Sequence, residues 1–173
     1  MKRYIITGAP GTGKTTLINA LQKDGYLAFE EVSRRIILSE QKIGGNKTPW
    51  EDVIGFTNLV YQTTIEELKI PIHESAFVDR GLADNIAYLK MQEQRIPNEL
   101  LNFEYLQHYH PKVFVLPPWC DIFEQDPQRL QTFEEATEIQ EILISTYMEL
   151  GFDLEIISKS NVKKRVEIIK NLI

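Results

Sequence analysis

Residues 8–16 read Gly8-Ala9-Pro10-Gly11-Thr12-Gly13-Lys14-Thr15-Thr16. The spacing Gly-x-x-x-x-Gly-Lys-Thr suits one kind of chemistry. Glycines let the backbone curl so that successive N–H groups point inward at an anion. A helix opening near Lys14 would add the positive end of its dipole. Lys14 would reach the β- and γ-phosphates, and the Thr15 hydroxyl would complete a Mg²⁺ shell. The expected ligand is a nucleoside triphosphate with Mg²⁺, held by Gly8, Pro10, Gly11, Thr12, Gly13, Lys14, Thr15 and Thr16. A chance glycine-rich turn could carry the same letters, but here the loop follows an apolar strand pattern, Tyr4-Ile5-Ile6, and precedes a helical one.

Charged residues further along could complete such a site. Asp79 ends the apolar run Ala76-Phe77-Val78, where an acid that orders Mg²⁺ belongs; its plainer reading is an N-cap for the helix that follows, with Asp84 the rival cap. Arg80 would lie beside the phosphates or an acceptor, or else on the surface. Glu31 and Arg34, three residues apart, share a helix face. The carboxylate could take a proton from a hydroxyl and the arginine could hold an anion. A plain surface ion pair, or Glu30 and Arg35 in their place, would fit equally well. Asp126-Pro127-Gln128-Arg129 leads into a helix, and a segment with one arginine can cover a transferring phosphoryl group; its plainer reading is an ordinary loop. Trp119 could stack on a base, although packing is the commoner use. His73, His108 and His110 lack metal-type neighbours and read as structural or solvent-facing.

Five strand patterns have to position these groups. They are Tyr4–Ile6, Tyr26–Phe29, Ser75–Asp79, Val113–Leu116 and Leu154–Ile157. Helical patterns fall between and after them over 14–22, 32–43, 49–68, 82–91, 97–109, 132–150 and 161–172, with Pro49 and Asn161 at the starts of two. Such alternation predicts an α/β fold, a parallel sheet with helices on both faces, and ligands at the carboxyl ends of the strands. Residues 41–48, with two glycines and an asparagine, are the weakest candidate for order.

At 173 residues the chain is expected to form one domain over 1–173. A net charge of −6 argues against a nucleic-acid or membrane-surface role, both of which need a basic footprint. The single cysteine, Cys120, excludes a disulfide framework and fits a cytoplasmic protein. No apolar run suits a signal peptide or a membrane span.

Several classes that share the phosphate loop can be set aside. Asp79-Arg80-Gly81 is one residue short of the GTPase Asp-x-x-Gly, and Asn46-Lys47 is followed by Thr48-Pro49 in the wrong place. A ring-forming AAA+ subunit needs more chain, and a transport ATPase needs a Ser-Gly-Gly signature. A short kinase-like branch remains.

The segments 8–16, Glu31-Val32-Ser33-Arg34-Arg35, Phe77-Val78-Asp79-Arg80-Gly81-Leu82, Leu116-Pro117-Pro118-Trp119, Asp126-Pro127-Gln128-Arg129 and Phe133-Glu134-Glu135-Ala136 together resemble the AAA-type predicted ATPases, relatives of the nicotinamide-riboside kinase domain. The resemblance covers nearly the whole chain. It implies a P-loop NTPase fold of the nucleoside-kinase kind, with a five-stranded parallel sheet in the order 2-3-1-4-5. It also implies that Glu31 and Arg34 lie toward the acceptor, Asp79 at the metal and Arg129 in a lid. Leu130 stands where the group often carries a second arginine. Two functions are compatible with these residues. One is a kinase moving the γ-phosphoryl of ATP to a nucleoside-like hydroxyl, with Lys14, Glu31, Asp79 and Arg129 catalytic and Glu31, Arg34 and Arg80 at the substrate. The other is a regulator that slowly hydrolyses ATP or GTP. A polar pocket at Glu31, Arg34 and Asp79 would favour the first, a flat apolar face the second.

Overall fold

The computed structural model describes residues 2–123 and 132–173. Arg129, Asp126 and Leu130 lie outside the described residues. The five strands are β1 (Arg3–Thr7), β2 (Leu27–Phe29), β3 (Ala76–Asp79), β4 (Tyr109–Val115) and β5 (Asp153–Ile156). They form one parallel sheet in the order β2-β3-β1-β4-β5, the order expected.

Strand alternation splits the core in two. Ile5, Val78, Val113 and Val115 point to one face, against α4 (Leu82–Met91) and α7 (Phe133–Glu149). Tyr4, Ile6, Phe77 and Phe114 point to the other, against α1 (Lys14–Lys23) and α8 (Val162–Lys170). Since both faces are covered, the central strands are almost wholly apolar. A smaller cluster of Val32, Ile36, Phe56 and Val60 joins α2 (Val32–Ile43) to α3 (Val53–Leu68) beside the sheet. Among the described residues no helix is long and apolar enough to cross a membrane.

Three boundaries differ from expectation. The helix expected from Pro49 begins at Val53, because the Asp52 side chain accepts from the Gly55 N–H at 2.9 Å and caps it there. Residues 48–52 therefore form a separate strap, tied at one end by Gln92 Nε2 donating to the Pro49 carbonyl. The helix expected over 97–109 is two single turns, α5 (Asn98–Leu101) and α6 (Tyr105–His108), and β4 starts at Tyr109. Pairing of β4 with β1 jumps between Arg3↔Tyr109 and Ile5↔Val113. Pro111, which has no N–H to give, falls in that jump and hides the first part of the strand from pattern reading. The stretch over 41–48 is tied down as well, with the Gly45 and Lys47 N–H groups donating to Glu40. Asn161 caps α8 as expected, accepting from the Lys164 N–H.

Candidate functional site

The phosphate loop turns directly off the end of β1. At Gly8 φ is +145°, and a Cβ there would lie 2.4 Å from the Leu116 carbonyl oxygen, just past β4. At Gly11 φ is +76°, and a Cβ would meet the Phe123 ring at 2.6 Å. Both positions therefore need glycine for conformation and for space. Gly13, at φ 85°, sets the start of α1.

Two buried side chains from distant helices brace the loop from outside. Gln140 of α7 accepts from the Ala9 N–H at 2.8 Å, and Arg165 Nη1 of α8 donates to the Thr12 carbonyl at 2.9 Å. The Arg165 guanidinium also lies 5.1 Å from the centre of the Trp119 ring, so Trp119 packs on a cation. Lys14 is buried and folded onto the loop, Nζ donating to the Gly8 and Ala9 carbonyls at 2.8 and 2.9 Å. Burial, and next the Arg80 cation, push its ammonium down to about 7.

Asp79, at the carboxyl end of β3, is buried and faces this loop. Thr15 Oγ1 donates to its Oδ2 at 3.4 Å, while Oδ1 has no hydrogen-bond partner among the described residues. Burial and the neighbouring Glu31 carboxylate raise its carboxyl to about 6. Asp79 does not cap α4. Gly81 occupies the cap position, and Asp84 Oδ2 reaches back to its N–H at 3.2 Å.

Arg80 is inside the protein and not on its surface, at φ 69°, a left-handed conformation that few side chains other than glycine adopt. Its Nε donates to Glu31 at 3.0 Å, and its Nη1 donates to Asp84 at 2.8 Å and to the Gly8 carbonyl at 3.3 Å. The guanidinium lies 5.6 Å from the Tyr88 ring centre. Asp84 accepts further bonds from Thr7 Oγ1 at 2.8 Å and from the Tyr147 hydroxyl at 2.6 Å. A connected chain of Glu31, Arg80, Asp84, Thr7 and Tyr147 thus runs from the cavity wall into the core. Burial alone would raise the Glu31 carboxyl, but Arg80, with Lys14 and Arg34, outweighs it and holds Glu31 below the ordinary range. Glu31 therefore pairs with Arg80 across 49 residues instead of standing as a surface pair, while Arg35 bonds Glu67 at the surface.

A cavity of about 250 Å³ opens over these groups. Its floor is residues 10–15 of the loop, one wall carries Glu31, Arg34 and Arg80, and the far end is apolar. Asp79 does not line it. It borders a neighbouring cavity of about 30 Å³ behind Arg80. Of the expected site residues, the fold brings Lys14, Thr15, Glu31, Arg34, Asp79 and Arg80 together at the ends of β1, β2 and β3. Thr16 is exposed, like Thr15, but does not line the cavity. Asp84, the rival cap, does cap α4 and also holds Arg80, while Asn85, Tyr147, Gln140 and Arg165 carry no role in the sequence reading. Among the described residues no group of His, Cys, Asp and Glu suits a metal by itself. His110 stacks on Tyr4 and His108 on Phe103.

A parallel sheet in this order, with a glycine-rich loop between β1 and α1, defines a P-loop protein with the fold of small kinases. Residues 3–165 match the family described as AAA domain, and the chain belongs to that family. No curated protein matches the sequence. Solved structures with the same fold include the deoxyadenosine kinase of M. mycoides with dCMP and dCDP bound. It is 17% identical, with a TM-score of 0.72 over 98% of this chain and 97% of that one. The same enzyme with dATP gives 18% and 0.68 over 99% and 98%. Shikimate kinase of Acinetobacter baumannii, with shikimate, gives 19% and 0.60 over 99% and 92%.

Proposed function

We propose that this protein is a small-molecule kinase that moves the γ-phosphoryl group of ATP to a hydroxyl of a nucleoside-like acceptor. The observation that carries this reading is one cavity joining the phosphate loop to the Glu31 carboxylate and an apolar end. At about 250 Å³ it is smaller than the roughly 300–1,000 Å³ of drug-sized ligand sites. That size suits a compact acceptor and is poorly matched to a protein or nucleic-acid chain. The fold neighbours that phosphorylate a nucleoside or shikimate support the same class.

Phosphoryl transfer asks mainly for positioning and charge stabilisation. Loop N–H groups and Lys14 would hold the β- and γ-phosphates, with Nζ exchanging the Gly8 and Ala9 carbonyls for phosphate oxygens. The orphaned Asp79 Oδ1 beside the Thr15 hydroxyl fits a hard cation, so these two residues would hold Mg²⁺. The bound ion would offset charge on the phosphates. Glu31, kept ionised by Arg80, would accept a hydrogen bond from the attacking hydroxyl, aim its oxygen at the γ-phosphorus and take its proton as the new O–P bond forms and the bond to the β-phosphate oxygen breaks, with ADP leaving. Arg34 and Arg80 would frame the acceptor, and Arg129 would cover the phosphoryl group in flight.

The test is a screen of nucleosides and other small hydroxyl compounds for ATP-dependent phosphorylation, beside an acceptor-free hydrolysis control. Phosphorylation of an acceptor that falls about 100-fold in Glu31→Gln, with ATP affinity kept, is the expected outcome. Hydrolysis alone, unchanged by every acceptor and by Glu31→Gln, would put a nucleotide-hydrolysing regulator in the kinase's place.

A further inference from the structure

The apolar end of the cavity has its own chemistry. Ile37, Trp50, Val53, Phe56, Tyr88 and Met91 form its walls. Phe56 is buried, whereas Trp50 sits on the 48–52 strap, 51% exposed, at the mouth. Thr57, Asn85 and Gln92 interrupt this apolar lining. Asn85, on α4 one turn before Tyr88, lines the cavity and is 6% exposed, yet its Nδ2 has no hydrogen-bond partner among the described residues. A buried amide donor without a partner is costly, and most such groups in native proteins are satisfied. At the edge of a ligand cavity, the group that would satisfy it is an acceptor atom on the ligand.

Charge narrows the ligand further. Arg80 is already bonded to two carboxylates, Glu31 and Asp84. Arg34 shares its wall with Glu31. An anionic acceptor would enter beside carboxylates with the nearer cation already matched, and a polyol would leave most of its hydroxyls against aromatic and aliphatic walls, with only a few side-chain groups, Thr57, Asn85 and Gln92, to bond. A flat heterocycle suits both features: its faces lie against aromatic and branched side chains, and its edge carries acceptor nitrogen or oxygen.

We infer that the apolar end is a ring-binding subsite, and that Asn85 is a specificity-determining residue whose Nδ2–H reads the edge of an uncharged heterocycle carried by the acceptor. The inference rests on the kinase reading only for the direction in which the acceptor lies, with its hydroxyl toward Glu31.

The test measures binding without transfer. The common ribo- and deoxyribonucleosides, with free ribose and shikimate as comparators, are titrated into the full chain containing ADP. At least one nucleoside should bind about tenfold or more tightly than either comparator. Asn85→Leu should weaken that binding about tenfold, while ADP affinity and melting temperature stay close to wild type. Asn85→Asp removes the donor and keeps acceptors, so it should shift preference toward bases whose edge presents an amino group, a change that a packing role would not produce. Tighter binding of shikimate or ribose, or no nucleoside binding at all, would overturn the inference. So would unchanged affinity and base preference in both variants; with a lowered melting temperature, that result would make Asn85 a partner of water in the 30 Å³ cavity it also borders. A nucleoside that binds and is not phosphorylated would remove the kinase reading and leave the subsite standing. A phosphorylated polyol that ignores Asn85 would do the reverse.

Discussion

At the glycine-loop end of the cavity the surface is shaped by backbone, and at the apolar end it is side chain. Around Gly8, Gly11 and Gly13 the chain takes conformations that leave no space for a Cβ or strain any residue that has one, and the loop is braced by Gln140 and Arg165 through main-chain atoms. Around Trp50, Phe56, Asn85 and Tyr88 the surface is carried by α3, α4 and one strap, so contacts there can change with a side chain while the backbone stays put. On the proposed kinase reading, this difference would let one scaffold keep its phosphate geometry in the main chain while side chains change selectivity.

Gly8→Ala is the most severe way to break the contrast. The new Cβ would meet a backbone oxygen at 2.4 Å in a conformation that alanine rarely adopts. Neither side of the clash is a flexible tip, so β1 and β4 would have to part at their carboxyl ends. A loss on the order of 4 kcal/mol is expected, together with loss of ATP binding. Denaturant unfolding of wild type and variant measures the first and calorimetric titration the second. If Gly8→Ala keeps wild-type stability, the backbone at this end is more adaptable than the comparison holds.

The same contrast decides how much of the site is legible in the sequence. The loop and the place of Asp79 are legible because they depend on short-range spacing and on the end of an apolar strand, whereas the sequence leaves Arg80 between the site and the surface. Sheet order came from resemblance and not from strand pattern, which cannot say which strands are neighbours. Glu31 was placed near the site, but its partner lies at position 80, and nothing in the 31–35 segment reveals that. Gln140, Arg165 and Asn85 did leave a signal. Gln140 falls on the buried stripe Ala136, Leu143, Tyr147 of α7, Arg165 between Val166 and Ile169 on α8, and Asp84-Asn85 inside an otherwise apolar turn of α4. A polar residue on an apolar stripe marks a buried hydrogen bond to be explained, though not which partner explains it. The strap at 48–52 was hidden because Pro49 is as acceptable at a helix start as before one.

Tyr147→Phe tests the join between the two ends at lower cost. Tyr147 is fully buried, and its hydroxyl donates to Asp84 at 2.6 Å; Asp84 in turn holds Arg80. Removing one hydrogen bond to a buried carboxylate that keeps Thr7, Gly81 and Arg80 should cost about 2 kcal/mol. The m-value should not change, since no surface is newly exposed. ATP affinity should hold, because the loop braces are untouched, and only steps that need Glu31 and Arg80 in register should slow. Equal losses in ATP affinity and turnover would mean that the two ends are one cooperative unit.

The smallest effect sought is a proton. Lys14 is held down to about 7, first by burial and then by Arg80, so above neutrality much of it is uncharged in the ligand-free protein. A triphosphate placed against Nζ adds negative charge and favours the ammonium form. Binding must then take up a proton, and affinity must fall as pH rises above about 7, because the lysine has to be recharged. The measurement is calorimetric titration with ATP at about pH 8, without divalent metal, in buffers of different ionisation enthalpy. Two other groups are silent under those conditions: Asp79, raised to about 6, and Glu31, held below the ordinary range, are both already ionised. Uptake approaching one proton is expected in wild type and none in Lys14→Met, which keeps the buried stem and loses the titrating group. Equal uptake in both proteins would place the proton elsewhere. No uptake in wild type would mean that Lys14 keeps one charge state throughout: affinity lost in Lys14→Met would make it charged before ATP arrives, and affinity kept would leave binding at the glycine-loop end to the backbone alone.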